Sequence, residues 1–144
     1  MDIMILKNLN RFSTDTGHLT KLHYAADPIA ASIREVYISE MNPGCINAWK
    51  SHNECAQNFI VVQGKVLIVS ALYSSANDSY KFGTAVLSES DTRLISIPAG
   101  VFYGFKPLEG EACRILNVID QDYDDNKVVR IGLDKIKFDW NIAL

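Results

Sequence analysis

Gly44-Cys-Ile-Asn-Ala-Trp-Lys-Ser-His-Asn-Glu-Cys-Ala-Gln-Asn-Phe-Ile-Val-Val-Gln-Gly64 is the stretch on which the reading of the fold turns. A glycine stands at each end, where a turn needs positive φ or a close backbone approach. Lys50 and His52 are two residues apart, so on a strand they share one side, and Trp49 takes the other. Outward from this stretch, strand-like runs come in quick succession: Arg34–Met41, Asn58–Val62, Lys65–Tyr73, Thr84–Leu87, Arg93–Ile97 and Cys113–Ile119. Turn signals separate them, among them Asn42-Pro43-Gly44, Gln63-Gly64, Ser74 to Ser79, Pro98-Ala99-Gly100 and Glu109-Gly110. Short β-branched segments with turns every 8–12 residues or so indicate an all-β sandwich or barrel. Helical periodicity is weak, with one short turn expected within Asp27–Ile33. The more polar tail, Asp120 to Leu144, ends in a mixed stretch, Ile136 to Trp140, expected to pack across the barrel as an edge strand.

The totals bound the function. A chain of 144 residues suits one domain, and at that size it buries roughly 68–70% of its unfolded surface without staples. The net charge of −3 argues against a nucleic-acid partner, whose footprint is a basic stripe. No run of about 18 apolar residues is present to span a bilayer. MDIMILKNLN carries an acid at position 2 and no long apolar stretch, which is not a signal-peptide pattern. Cys45, Cys55 and Cys113 are odd in number and lack CxxC spacing, as expected of free thiols in a reducing cytoplasm.

The spacing within Gly44–Gly64 resembles the first cupin motif, with Gly44, Lys50, His52, Gln57 and Gly64 at its marked positions. Pro98-Ala-Gly100-Val-Phe-Tyr103 is similar to the second, P-x-G-x-x-H. The resemblance implies a single-domain cupin, a double-stranded β-helix or jelly-roll barrel. Its barrel would occupy about residues 32–120, with the N- and C-terminal segments packing on it. Cupins that hold metal use three histidines and a glutamate; here those places carry Lys50, His52, Gln57 and Tyr103. A protonated lysine has no lone pair to give and a neutral amide is a poor ligand, so no metal and no other cofactor is expected.

A closer resemblance is to the dTDP-4-dehydrorhamnose 3,5-epimerases and the related dTDP-4-keto-6-deoxyhexose 3,4-ketoisomerases. Asp15-Thr-Gly17-His-Leu19 is similar to their D-R-G-x-L opening, and Asn47-Ala-Trp-Lys-Ser-His52 to R-A-W-H-x-H. Ile97-Pro-Ala-Gly-Val-Phe-Tyr-Gly-Phe105 is similar to I-P-x-G-x-x-H-G-F, and Asp122-Tyr123, Arg130 and Phe138-Asp-Trp140 to the family's tail. The resemblance implies metal-independent proton transfer beside the C4 ketone of a nucleotide sugar, in deoxysugar and surface-polysaccharide synthesis, by a homodimer. Such chemistry needs a base, a group that stabilises the enolate oxygen, an acid, and cations for the diphosphate. By the same resemblance His52, Lys50 and Tyr103 are the catalytic candidates, and Asn47, Gln57, Tyr123 and Arg130 the substrate-binding ones.

The chain departs from that pattern where it matters. Lys50 replaces the base histidine, Asn47 an arginine, and Tyr103 the H-G-F histidine; Leu116 falls near the epimerases' acid tyrosine, and Asp134 near an orienting carboxylate. Lys50 is open to three readings: a base with its pKa lowered by desolvation, a charged anchor for an anion, or a solvated rim residue. His52 is a ligand-facing or a structural histidine, and Tyr103 a site hydroxyl or a packed ring. Trp49 reads as core or dimer packing before sugar stacking, and His18 and His23 as surface or packing residues. Two functions therefore stand side by side: a sugar-nucleotide epimerase or isomerase, and a cupin without turnover that binds a sugar or nucleotide sugar or regulates a partner.

Overall fold

The computed structural model describes residues 3–22, 33–120 and 127–142. His23, Tyr123 and all of the anticipated 27–33 turn except Ile33 lie outside them. Among the described residues twelve strands run in chain order: β1 Ile5–Asn8, β2 Asn10–Thr14, β3 Gly17–Lys21, β4 Glu35–Met41, β5 Asn47–His52, β6 Gln57–Gln63, β7 Lys65–Ser74, β8 Ser79–Ser88, β9 Arg93–Ile97, β10 Phe102–Pro107, β11 Cys113–Ile119 and β12 Val128–Arg130. They form two five-stranded sheets, ordered β1-β9-β6-β11-β4 and β12-β5-β10-β7-β8, plus the separate hairpin β2-β3. Every pairing is antiparallel. This is the all-β jelly roll expected from the sequence. No helix among the described residues is long and apolar enough to cross a membrane.

The inner faces of the two sheets meet in one core. Phe59, Val61, Ile95, Ile97 and Ile115 come from the first sheet and Val66, Ile68, Leu87 and Phe105 from the second. These are the inward positions of β-branched and aromatic runs, where period-2 alternation buries every other side chain. Strand β4 breaks this rule in an informative way: its inward places hold Glu35, Tyr37 and Ser39, while Val36 and Ile38 face solvent. Polar residues turned inward mark the end of the barrel that stays open.

A second, smaller core lies on the outer face of the second sheet. Trp49, Leu67, Val69 and Ala71 are covered there by Ile136 and Trp140 of the C-terminal segment. That segment corrects the sequence expectation, because Ile136–Trp140 packs across the sheet without being a strand. Its pairing with β5 stops after Ile131, whose N–H donates to the Trp49 carbonyl at 3.2 Å. Beyond that point it is held by rings, with Trp49 and Trp140 centroids 5.3 Å apart, and by Lys106 Nζ donating to the Trp140 carbonyl at 2.9 Å. The edge place belongs instead to β12. Strands β1, β10 and β12 are not among the runs picked out from the sequence: β1 and β12 are short, and the aromatic run of β10 is broken by Gly104 and ends in Pro107.

Candidate functional site

Strand β5 carries a local irregularity that builds the site. Opposite β10 the register runs Lys50↔Tyr103, Ala48↔Gly104 and Asn47↔Phe105, so Trp49 has no partner of its own. Such a bulge lets two neighbouring residues answer one on the facing strand and re-aims the side chains beyond it. Strict alternation from Lys50 would send Asn47 outward. With Trp49 taken into the outer core, Asn47, Lys50 and His52 all face the barrel interior. Gly104 makes this approach possible, since a Cβ there would sit 2.4 Å from the Cβ of Ala48. The Pro98-Ala-Gly100 turn then ties down the end of β5, Gly100 N–H donating to the His52 carbonyl at 2.8 Å.

The result is a cavity of about 310 Å³ between the sheets, at the small end of the ligand-pocket range. One wall carries Asn47, Lys50 and His52 from β5, Tyr103 and Phe105 from β10, and Val128 from β12. The other carries Glu35, Tyr37 and Ser39 from β4, Phe59 from β6 and Asn117 from β11. His52 Nε2 and Tyr103 Oη share a 2.9 Å hydrogen bond across 51 residues of chain, its direction set by the imidazole tautomer. Their rings lie nearly parallel, 10° apart with centroids 5.9 Å from each other.

Electrostatics separates the roles of these groups. Burial, then the positive charges of Lys50 and Arg130, push the His52 imidazole down to about 4, so at neutral pH it is uncharged and can accept a proton. Lys50 is itself lowered from its usual value, by burial first and by Arg130 second. Arg130 stands across from Lys50 in the β12–β5 pairing, exposed and outside the cavity lining, close enough to act through its charge.

Gln57 lies behind the far wall rather than in it. It is 1% exposed, and its Oε1 accepts a hydrogen bond from Asn117 Nδ2 at 2.6 Å. Asn117 Nδ2 also donates to Tyr37 Oη at 2.5 Å, and its Oδ1 accepts from the Asn58 N–H at 3.2 Å. Asp134 is exposed on a single 3-10 turn, Leu133–Lys135. Leu116 is not among the lining residues, its neighbour Asn117 taking the inward place. Tyr37 and Asn117 escaped the sequence reading, although each leaves a trace. Tyr37 is one of the polar alternates of β4, and Asn117 interrupts the apolar run Ile115 to Ile119.

The donors at the cupin metal positions do not suit a transition metal. A lysine, one imidazole, a buried amide already bonded within the wall, and a phenol supply a single good ligand. Among the described residues no three histidine, cysteine, aspartate or glutamate side chains gather in a metal-binding group.

No protein-family model matches the sequence, and no curated protein matches it. Solved structures do. A dTDP sugar isomerase from Desulfovibrio desulfuricans G20 is 25% identical, with a TM-score of 0.82 over 97% of this chain and 92% of that one. A dTDP-4-dehydrorhamnose 3,5-epimerase from Sulfolobus tokodaii is 21% identical, with a TM-score of 0.80 over 96% and 81%. A sugar 3,4-ketoisomerase from Thermoanaerobacterium thermosaccharolyticum, in complex with TDP, is 20% identical, with a TM-score of 0.71 over 92% and 90%. By fold, then, the chain stands with the dTDP-4-dehydrorhamnose 3,5-epimerases and the dTDP-sugar isomerases, the cupins that its motifs resemble.

Proposed function

We propose that the protein is a metal-independent epimerase or isomerase of dTDP-4-keto-6-deoxyhexoses, with His52 as the base. One observation carries this reading: an uncharged imidazole, hydrogen-bonded to a phenol, faces an internal cavity beside a lysine. A proton next to a ketone is removed most readily when the base is neutral and a cation or donor meets the charge that develops on oxygen. His52 meets the first need and Lys50 with Tyr103 the second. Asn47 contacts the sugar, while Arg130 and Tyr123 serve the diphosphate. Gln57 acts through Asn117. Lys50 is the anchor of the three readings open to it, because it lines the cavity beside the imidazole and so is neither a rim residue nor the nearer base to Tyr103.

Isotope exchange tests the proposal. In deuterated buffer, dTDP-4-keto-6-deoxyglucose incubated with the protein is expected to gain deuterium next to its ketone, at C3 or C5. The rival reading, a barrel that binds a nucleotide sugar without turnover, draws support from the same imidazole, since a base held at about 4 is a weak one. A bound diphosphate would offset the two cations that hold it down. Measurable binding of several 4-keto nucleotide sugars without exchange from any of them would decide for the rival.

The working unit is a homodimer in a reducing cytoplasm. All three cysteines are free thiols. Every residue of the β2-β3 hairpin is exposed, including the cross-strand pair Phe12 and Leu19, at 47% and 49%. Val36 and Ile38 on edge strand β4 are exposed by 52% and 55%. Apolar surface of this kind supports an interface on that side of the sheet. Light scattering is expected to return twice the chain mass of 16.1 kDa, and a strict monomer would refute the dimer.

A further inference from the structure

Soft metal ions choose sulfur, from thiolates and thioethers, over oxygen. The chain holds three cysteines and three methionines, and three of these six side chains meet in one corner of the barrel, below the cavity.

The inward places of β4 run Glu35, Tyr37, Ser39 and Met41. The first three line the cavity, and Met41 comes next, in the core beneath it. Strand β11 descends beside it in the same way, with Asn117 in the cavity wall and Ile115 and Cys113 following into the core. Cys113 and Met41 are partners in the register of the two strands, so their Cβ atoms leave one face roughly 4.5–5.5 Å apart. Beyond Met41 the chain turns back on itself. The Cys45 N–H donates to the Asn42 carbonyl at 3.3 Å, and Gly44 takes φ +74°. Cys45 is thereby returned, half-buried, against the same cluster that holds Met41 and Cys113. Its thiol adds to the effect of burial in pushing the Cys113 thiol up to about 11.

Two thiols and a thioether so placed form a soft donor set with few members. A structural zinc site asks for four ligands, and among the described residues no third histidine, cysteine, aspartate or glutamate joins the two cysteines. Cu(I), with its filled d shell, is satisfied by two or three sulfurs. We propose that Cys45, Cys113 and Met41 form a Cu(I) site beneath the cavity floor, apart from the cupin metal positions. Both thiols give their protons to solvent as the cation binds, the copper stays in its +1 state, and the ion with its two thiolates carries one net negative charge. The cation itself supplies what Cys113 lacks in the core, a positive charge that favours its thiolate. Cys45 is the way in, while Met41 and Cys113, at 6% and 0% exposure, close the inner side.

The test is an anaerobic titration of the full chain with Cu(I), read as competition against a chromophoric Cu(I) chelator, with X-ray absorption on the loaded protein. One equivalent held against the chelator, in a shell of sulfur alone, is expected. Cys45→Ser and Cys113→Ala are each expected to weaken binding by roughly 100-fold or more, above the cost of losing an outer-shell partner. Met41→Leu, which keeps the core filled, should give a smaller loss. Cys55→Ser should bind as the wild type does. Cys45 lies outside the strands and is half-buried, so its variant keeps the test open even where Cys113→Ala fails to fold. No competition with the chelator, nitrogen or oxygen in the copper shell, or a loss in Cys55→Ser as large as that in Cys45→Ser would overturn the site. The readout uses no nucleotide sugar, so its failure and that of the proposed reaction are separate results.

Discussion

His52→Ala is expected to slow exchange of the protons beside the sugar ketone by roughly 10²–10⁴-fold, the usual contribution of a positioned general base. Binding of dTDP should survive, because the residues proposed to hold the nucleotide, Arg130 and Tyr123, are left in place. The pH dependence carries a sharper signature. The free imidazole form, the base in the proposed reaction, is present above about 4 and is lost as pH falls through that value, where an unperturbed histidine would lose it near 6.5. An acid limb in kcat/KM near 4 for the wild type is therefore expected. Lys50→Ala should move it upward, since the lysine's charge is the second cause of the depression after burial. A limb that stays put in Lys50→Ala, or an exchange rate untouched by His52→Ala, would remove His52 from the chemistry. The same shift links to stability. Between 6.5 and about 4 the unfolded chain binds the proton that the folded one refuses, so this contribution is complete above 6.5 and declines as pH falls through the window.

Trp49→Ala is expected to cost about 3–5 kcal/mol, the range for truncating a buried tryptophan. For a chain of this size that lowers Tm by roughly 10 °C. The ring is 1% exposed and lies between β5 and the C-terminal segment, with Trp140 at 5.3 Å and Phe138 at 6.4 Å in an edge contact. Removing it leaves a void and frees the cover over Leu67, Val69 and Ala71. Trp49→Phe should be milder, because the indole Nε1 has no hydrogen-bond partner among the described residues and its loss strands nothing. Thermal unfolding followed by circular dichroism measures both variants. A loss under about 1 kcal/mol in Trp49→Ala would show that the segment holds without it.

The features legible along the chain are those that depend on near neighbours. Alternation in Arg93–Ile97 and Cys113–Ile119 gave strands with those same bounds, because a β-branched run needs only a partner surface to become one. The pairing of Lys50 with His52, two residues apart, was equally local. The β8 strand, legible in sequence only as Thr84–Leu87, extends back to Ser79 because it answers β7 residue for residue, down to Ser74↔Ser79. Its first half alternates Tyr80 and Phe82 with Ser79, Lys81 and Gly83, a pattern that the turn-like Ser74 to Ser79 run beside it obscured.

The sequence by itself determined an all-β chain, its turn positions and a short set of polar candidates around Gly44–Gly64. Only the tertiary structure decided which of them share a cavity. Tyr103 meets His52 because β10 pairs with β5, and Asn47 faces inward because Trp49 is drawn into the outer core and bulges the strand. Gln57 is withdrawn behind Asn117, a contact spanning 60 residues of chain. The lowering of the His52 imidazole is set by burial and by cations from two strands, so it exists only once the sheets close. Periodicity reports which way a side chain points relative to its neighbours. What it points at depends on contacts between residues far apart in the chain, which no local pattern encodes.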